Sequence, residues 1–315
     1  MPQLARAALA ALCLVSACGG APFPDAGEEA DATVPSGAPH ALPFGSPSLD
    51  SEAAARAHLT YYGGPVLSNA RVVAVLWGDV DPAVRDRIGG FYQAITAGPY
   101  FGWLSEYDTP GQKIGKGLLA GVVAIAPRAA RKTWTDAQIE KELAAQLKAG
   151  KLPAADLDTV YMIHFPPGVR VIMGGGGSCE SGGFCGYHSA FKRGGTRIAY
   201  AVLPDMGPGS GCDTGCGAGA STFDLVTSVS SHELVEAVTD PEVGLAHGLA
   251  APLAWYDARG GEIGDICNGK SGKLKTRGAA YTVQKQWSNA ARACVLGRGR
   301  AGAGARPDDL SADGG

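Results

Sequence analysis

A short stretch near residue 230 combines residue types that bind metal ions and move protons. From Ser231 to Pro241 it reads S-H-E-L-V-E-A-V-T-D-P, with His232 and Glu236 four positions apart. On an α-helix this spacing places both side chains on one face, where an imidazole and a carboxylate can bind the same cation. Glu233 points about a quarter-turn away, towards a water molecule that such a metal would activate. The stretch therefore predicts a metal site at His232 and Glu236, with Glu233 as general base.

This arrangement differs at one position from the H-E-x-x-H helix of zinc proteases, in which two histidines bind zinc and the glutamate is the base. Here Glu236 replaces the second histidine. Because a carboxylate donates more charge to a metal than an imidazole does, the metal should be a weaker Lewis acid. The substitution leaves two interpretations open: a zinc-dependent hydrolase, and a metal site without catalysis.

Further candidate ligands lie on both sides of this helix. In zinc enzymes whose third ligand is a glutamate, that residue follows the helix by some tens of residues. Glu262 fits this role, and Asp265 fits that of the outer carboxylate that orients His232. His188 can restore a second imidazole, and Asp257 is a further candidate for either shell. The same acidic residues also suit calcium, or can orient loops through backbone hydrogen bonds.

The elements that must position these residues follow from apolar runs and capping residues. The sequence predicts strands over 71–77, 118–125, 159–165 and 196–203, and helices over about 82–96, 136–149 and 223–239. Residues 166–195, which include His188, are predicted to form a loop. Strands that alternate with helices, followed by an irregular disulfide-bonded C-terminal lobe, predict an α/β (α+β) fold. We expect a single zincin-like domain with a mixed sheet and backing helices.

The N-terminus has the features of an export signal. Arg6 precedes an apolar run from Ala7 to Val15 that is too short to span a bilayer, and Val15-Ser16-Ala17-Cys18 resembles a bacterial lipobox. This predicts a signal peptide over 1–17 and lipid attachment at Cys18. The acylated cysteine would anchor the protein in the lipid bilayer of the outer membrane or cell surface. Ordinary signal-peptide cleavage beside Cys18 is the alternative.

Composition divides the rest of the chain into three parts. Residues 18–55 are rich in Ala, Pro, Gly and acidic residues and predict a disordered tether, and residues 297–315 predict a disordered tail. Residues 56–296 are sufficient for one folded domain with a sizeable core. With a formal net charge of −3 and no basic stripe, the sequence argues against nucleic-acid binding.

The cysteines support export to an oxidising compartment. Beyond Cys13 in the signal peptide and Cys18, six remain, and an even number favours disulfides. A structural zinc site built from their thiolates is the alternative. Proximity along the chain suggests the pairs Cys179–Cys185, Cys212–Cys216 and Cys267–Cys294.

Several blocks of the sequence, in order, resemble the phosphate-induced, EXORDIUM-like family. They are Y-Y-G-G-P-V-L at 61–67, C-G-Y-H at 185–188, the S-H-E-L-V-E-A-V-T-D-P helix, A-W-Y-D at 254–257 and G-E-I-G-D-I-C at 261–267. The resemblance spans most of residues 60–295, and the helix and G-E-I-G-D-I-C are its most specific blocks. It implies a secreted protein, which in plants is apoplastic and associated with growth responses. It also implies a zincin-like scaffold that keeps the His-Glu-x-x-Glu order, without a settled activity.

Two functions follow from these observations. The first is an extracytoplasmic, lipid-anchored metal-binding protein in which zinc, or alternatively calcium, is held by His232, Glu236 and Glu262. Such a centre would hydrolyse peptide or amide bonds. The second is a non-catalytic cell-surface module that binds cell-wall carbohydrate or a partner protein, with the acidic cluster in a structural role.

Overall fold

The computed structural model describes residues 35–45, 56–276 and 278–297. The predicted signal peptide, Cys18, most of the tether and nearly all of the C-terminal tail lie outside these residues. The described strands are β1 (His40–Pro43), β2 (Thr60–Tyr61), β3 (Arg71–Trp77), β4 (Leu118–Ile125), β5 (Thr133–Thr135), β6 (Thr159–His164), β7 (Arg170–Met173), β8 (Gly176–Gly177), β9 (Phe184–Arg193), β10 (Thr196–Leu203), β11 (Trp255–Tyr256), β12 (Ser271–Thr276), β13 (Ala279–Gln284), β14 (Gln286–Ser288) and β15 (Ala293–Val295). The described helices are α1 (Pro82–Ala97), α2 (Pro99–Gly102), α3 (Asp136–Lys148), α4 (Cys212–Gly215) and α5 (Thr222–Thr239), with 3-10 turns at Leu104–Tyr107, Val243–Leu245 and Asp265–Cys267.

A six-stranded mixed sheet in the order β1-β9-β10-β6-β3-β4 organises the fold. The strands β10, β6, β3 and β4 are parallel, whereas β9 is antiparallel to β10 and β1 is antiparallel to β9. The mixed α/β class predicted from the sequence is confirmed at this level. In the register at the antiparallel edge, His188 of β9 lies opposite both Ala201 of β10 and His40 of β1.

Helices cover both faces of this sheet because the central strands are apolar on both sides. Along β3, Val72 packs into the layer that contains helices α1 and α5, whereas Val73 packs into the layer that contains α3. The alternation follows from the two-residue repeat of a strand. Helix α5 thus lies against the sheet face that includes His188.

The residues next to helix α5 determine where it begins and where it ends. The hydroxyl of its N-cap, Ser221, accepts a hydrogen bond from the Asp224 N–H at 3.1 Å. The helix ends at Asp240 because the next residue, Pro241, has no N–H to continue it. From Val226 onward every residue of the helix is buried, including its charged residues. A buried helix of this kind places its polar side chains in the interior.

The other predicted elements match the structure to within one or two residues, but the loop predicted over 166–195 is wrong. It contains β7, β8 and the ten residues of β9. The F-C-G-Y-H-S-A-F-K-R sequence of β9 has a glycine and small polar residues that weaken the strand pattern, and pairing with β10 and β1 outweighs this weakness. Residues 40–43, which fall in the predicted tether, form the edge strand β1.

Three disulfides join the six cysteines, and two of the expected pairs are wrong. Cys179 pairs with Cys212 and Cys185 with Cys216, while the pair Cys267–Cys294 is confirmed. The correct partners are distant along the chain because β9 and the segment before α5 lie side by side. Disulfides of this kind are consistent with an extracytoplasmic location. Within the described ranges, no helix has both the length and the apolar character needed to cross a bilayer.

Candidate metal centre

Four separate parts of the chain bring acidic and histidine side chains together at one end of α5. The helix contributes His232, Glu233 and Glu236. The other contributors are β9, the turn at 262–265 and β1, which supply His188, Glu262, Asp265 and His40. Seven potential ligands therefore come from segments far apart in sequence.

Glu236 lies at the centre of this cluster. Its Oε2 atom is 3.1 Å from His232 Nε2 and 3.6 Å from His188 Nδ1. Its Oε1 atom accepts hydrogen bonds from the backbone N–H groups of Gly264 and Asp265, both at 3.1 Å. One oxygen thus holds the turn in place, and the other remains directed to the imidazoles.

Three overlapping groups of side chains have ligand atoms close enough to share an ion, and Glu236 belongs to all three. The groups are His40 with Glu236 and Glu262, His188 with Glu233 and Glu236, and His232 with Glu236 and Asp265. Two ligands at about 2.1 Å from one tetrahedral ion lie about 3.4 Å apart. The spacings around Glu236 are close to that value.

The cluster is buried and incompletely hydrogen-bonded. His188, His232, Glu233, Glu236 and Glu262 have 0% exposure. Among the described residues, His188 Nε2, His232 Nε2, Glu236 Oε2 and both oxygens of Glu262 lack a hydrogen bond of good geometry. Buried polar atoms without good hydrogen bonds are costly and uncommon, so these atoms suit the binding of an ion.

Two glycines allow the side chains to approach so closely. A Cβ atom at Gly264 would lie 2.6 Å from His232 Nδ1 and 2.7 Å from Glu236 Oε1. A Cβ atom at Gly186 on β9 would lie 2.8 Å from Glu233 Oε1. Contacts this short do not occur, so any larger residue would displace the ligands.

The amide of Gln284 on β13 orients His232. Its Nε2 atom lies 2.8 Å from His232 Nδ1 and donates to the Gly264 carbonyl at 2.8 Å. A neutral imidazole that binds a cation through Nε2 carries its proton on Nδ1. In that state the Gln284 amide has to turn its oxygen towards the ring.

The electrostatics of the cluster favour added positive charge. Burial lowers the pKa of His232, but the carboxylates of Glu236 and its neighbours outweigh this effect and raise the pKa to about 9. Burial likewise lowers the pKa of His40, and the carboxylates of Asp265 and Glu262 raise it to about 10. For His188, burial is outweighed chiefly by Glu262, and the pKa lies well above its usual value.

The carboxyl groups respond to the same environment. Burial raises the pKa of Glu262 to about 7 and also raises the pKa of Glu233. For Asp265, burial raises the pKa, but the charge of His40 outweighs it and the net pKa is lowered. Without a metal ion the cluster takes up protons, which is the expected response of buried acids that lack a cation.

The predicted residues divide into those the cluster contains and one it does not. His188, His232, Glu233, Glu236, Glu262 and Asp265 all lie in it. None of the three ligand groups contains His232, Glu236 and Glu262 together. The third member beside His232 and Glu236 is Asp265. Asp257 lies elsewhere, in a turn where its carboxylate accepts the backbone N–H groups of His58 and Arg259.

Two residues of the site, His40 and Gln284, are not predicted by the His-Glu-x-x-Glu motif or by the acidic residues that follow it. His40 lies in a Pro- and Ala-rich segment, where its only cue is the short alternation H-A-L-P-F. Gln284 belongs to a β-hairpin and lies 52 positions after His232, and no local pattern connects the two residues. Asp265, expected to orient His232 from the outer shell, lies with Oδ1 3.7 Å from His232 Nε2, whereas Gln284 contacts Nδ1.

No protein-family model matches this sequence, and no curated protein or solved structure matches it either.

Proposed function

We propose that this protein is an extracytoplasmic metal-binding protein whose metal centre is built around Glu236 and hydrolyses peptide or amide bonds. One observation carries the proposal: buried imidazole nitrogens and carboxylate oxygens, several without a hydrogen bond of good geometry among the described residues, converge on the Glu236 carboxylate. His232 is the first partner of Glu236, and the remaining ligands come from His188, Glu262 and Asp265. The atoms of these residues pair with one another at 3.1 to 3.7 Å, a spacing that ligands of one shared metal ion would also have.

The ligand types favour zinc over calcium. Calcium prefers a shell of oxygen ligands, whereas zinc and other transition metals bind imidazole nitrogen readily. Three imidazoles, those of His40, His188 and His232, lie within the cluster. When bound, zinc supplies a Lewis acid that polarises a carbonyl group and makes water more acidic.

Glu233 is the proposed general base and proton carrier. Its Oε1 atom makes no hydrogen bond within the described residues, and its Oε2 atom lies 3.4 Å from His188 Nδ1. Burial raises the pKa of Glu233 above its usual value, which favours a carboxyl group that takes up and returns a proton. Glu233 would take a proton from water as the water oxygen bonds to the carbonyl carbon. It would return that proton to the departing nitrogen as the C–N bond breaks.

The architecture and location form part of the same proposal. A buried helix with His-Glu-x-x-Glu beneath a mixed sheet supports a zincin-like domain, and the sequence blocks support membership of the EXORDIUM-like family. The disulfides support an oxidising compartment. The proposed lipid attachment at Cys18 lies outside the described residues and would hold the domain at a membrane surface.

Metal analysis of the purified, oxidised protein tests the centre. We expect about one equivalent of zinc, and its loss in His232→Ala and Glu236→Gln, because each variant removes a ligand from a buried site. Glu233→Gln should keep the metal but lose hydrolysis of peptide substrates by about a hundredfold or more.

Glu180→Gln is a matched control, because this half-exposed glutamate pairs with Arg170 and belongs to none of the three ligand groups. It should retain both metal and activity. Less than about a tenth of an equivalent of zinc in the parent protein, unchanged in His232→Ala, would contradict the metal centre.

The burial of most of the cluster favours a second candidate, a non-catalytic surface module with a structural metal or acidic core. Structural zinc sites have no open position, and five members of this cluster have 0% exposure. Such a module would bind cell-wall carbohydrate or a partner protein. It predicts that Glu233→Gln changes no measurable property of the protein, in contrast to the hydrolase.

A further inference from the structure

The metal cluster is closed to solvent except on one side. The side chain of His40 is 21% exposed and that of Asp265 is 15% exposed, whereas the deeper ligands have no exposed surface. A polymeric substrate can therefore reach Glu233 and Glu236 only if a segment at this side moves.

The N-terminal segment, residues 35–45, covers that side. Its histidine, His40, lies with Nε2 2.6 Å from Asp265 Oδ2 and 3.7 Å from Glu262 Oε2. Because His40 is directly opposite His188 in the register, the ring projects over the same face as the buried imidazole, 6.1 Å between centroids. The segment thus places its own side chain at the entrance of the centre.

Backbone contacts hold the N-terminal segment along the edge of the sheet. Residues 40–43 pair with β9, the Phe44 N–H donates to the Gly183 carbonyl at 2.9 Å, and the Gly248 N–H donates to the Pro35 carbonyl at 2.8 Å. Main-chain pairing of this kind accepts any extended polypeptide, whatever its sequence.

Two apolar side chains on one face supply the remaining contacts. Leu42 is 3% exposed and enters the core shared with α5, and the ring of Phe44 rests on Gly215. Both side chains pack into the same core layer, Leu42 from β1 and Phe44 from the turn that follows the strand. The surface therefore selects an extended segment with an apolar residue and, two positions on, an aromatic residue.

We propose that the groove along β9, filled here by the N-terminal segment, is the binding site for an extended polypeptide with this pattern. The structure is the closed form, and displacement of residues 35–45 opens both the groove and the metal cluster. This inference rests on the proposed function for the link to hydrolysis, since it names the substrate class of the same centre.

Peptide binding by a displaced variant tests the groove. Leu42→Asp puts a charge into an apolar site and should release the N-terminal segment. A labelled peptide of residues 38–45, A-P-H-A-L-P-F-G, should then bind the variant at least about tenfold more tightly than it binds the parent, in which the tethered copy competes at high effective concentration.

Ala38→Asp is the matched control, because it adds the same charge to an exposed position of the same segment. It should bind the peptide no better than the parent does. Equal, weak binding by the parent and both variants would overturn the proposal. Peptide binding without zinc or hydrolysis would leave the groove standing and contradict only the proposed function. Zinc binding by the parent protein, together with no peptide binding by the Leu42→Asp variant, would contradict the groove and leave the proposed function standing.

If Leu42→Asp does not fold, hydrogen exchange on the parent protein provides an independent test of the proposal. The backbone amides of His40, Ala41, Leu42 and Phe44 should exchange by local opening, faster than those of β6 in the centre of the sheet. Exchange at the same rate as β6 would mean that the segment leaves only on global unfolding, and would overturn the proposal.

Discussion

At the scale of single residues, the space at Gly264 determines how closely His232 and Glu236 can approach. Its backbone angles, φ −82° and ψ −38°, suit any residue, so the need for glycine is one of volume. We predict that Gly264→Ala weakens zinc binding by about 10- to 100-fold, because a Cβ atom would push the imidazole and the carboxylate apart. Competition with a zinc-binding dye measures the affinity.

Gly102→Ala is the control for this substitution. A Cβ atom at Gly102 meets nothing within 4 Å. Its zinc affinity should equal that of the parent. If Gly264→Ala bound zinc as tightly as Gly102→Ala, then His232 and Glu236 would not be joint ligands.

The residues of α5 are predictable from sequence because their relation is local. Four positions on a helix place His232 beside Glu236 whatever the rest of the fold does. Glu262 and Asp265 follow only by analogy with spacing in zinc enzymes. His40 cannot be found in this way, because its place in the cluster depends on β1 pairing with β9 across some 145 positions of chain.

At the scale of elements, the disulfide Cys267–Cys294 ties the turn that supplies Glu262 and Asp265 to the strand β15. We predict that the double variant Cys267→Ser, Cys294→Ser loses about 2–4 kcal/mol of unfolding free energy. It should also bind zinc more weakly, because the turn then orders only on binding. Denaturant unfolding and zinc titration measure the two effects.

The double variant Cys179→Ser, Cys212→Ser separates these effects, since the two bridges span similar lengths of chain, 33 and 27 residues. It should lose comparable stability and keep its zinc affinity. An equal loss of zinc affinity in both double variants would show that the bridge near the turn has no particular role in the centre.

Element prediction succeeds where a segment's own pattern agrees with its surroundings and fails where pairing decides. The run R-V-V-A-V-L-W is buried on both sides and reads as a strand on its own. The strand β9 contains Gly186, His188 and Ser189, and becomes a strand because β10 and β1 flank it. Because the sequence pattern predicts a loop here, it does not show that His188 is fixed opposite α5.

At the scale of the whole molecule, metal binding and folding should be coupled. The four carboxylates and three imidazoles of this cluster, most of them fully buried, require added protons or a metal cation, and a metal that binds only to the folded cluster stabilises the folded state. With zinc at about a thousand times its dissociation constant, the free energy of unfolding rises by about 4 kcal/mol. For a domain of this size, that increase raises Tm by roughly 10 °C. We therefore predict a fall of that order in Tm on chelation, measured by calorimetry.

Glu236→Gln provides the comparison for chelation. A protein that has lost the central ligand should melt at the same temperature with and without the chelator. A parent protein whose Tm is likewise insensitive would show that the cluster is stable without metal and that its acids are held protonated instead.

The connectivity of the two bridges beside β9 has a consequence for how the chain matures. Native partners are 33 and 31 positions apart, whereas Cys179 has Cys185 only six positions away and Cys212 has Cys216 four away. Short loops close fastest, so oxidation of the unfolded chain should first join the wrong neighbours. Productive assembly then requires thiol exchange after β9 has met the segment before α5, which makes a disulfide isomerase, or a glutathione buffer in the test tube, a condition for obtaining this protein in its native form.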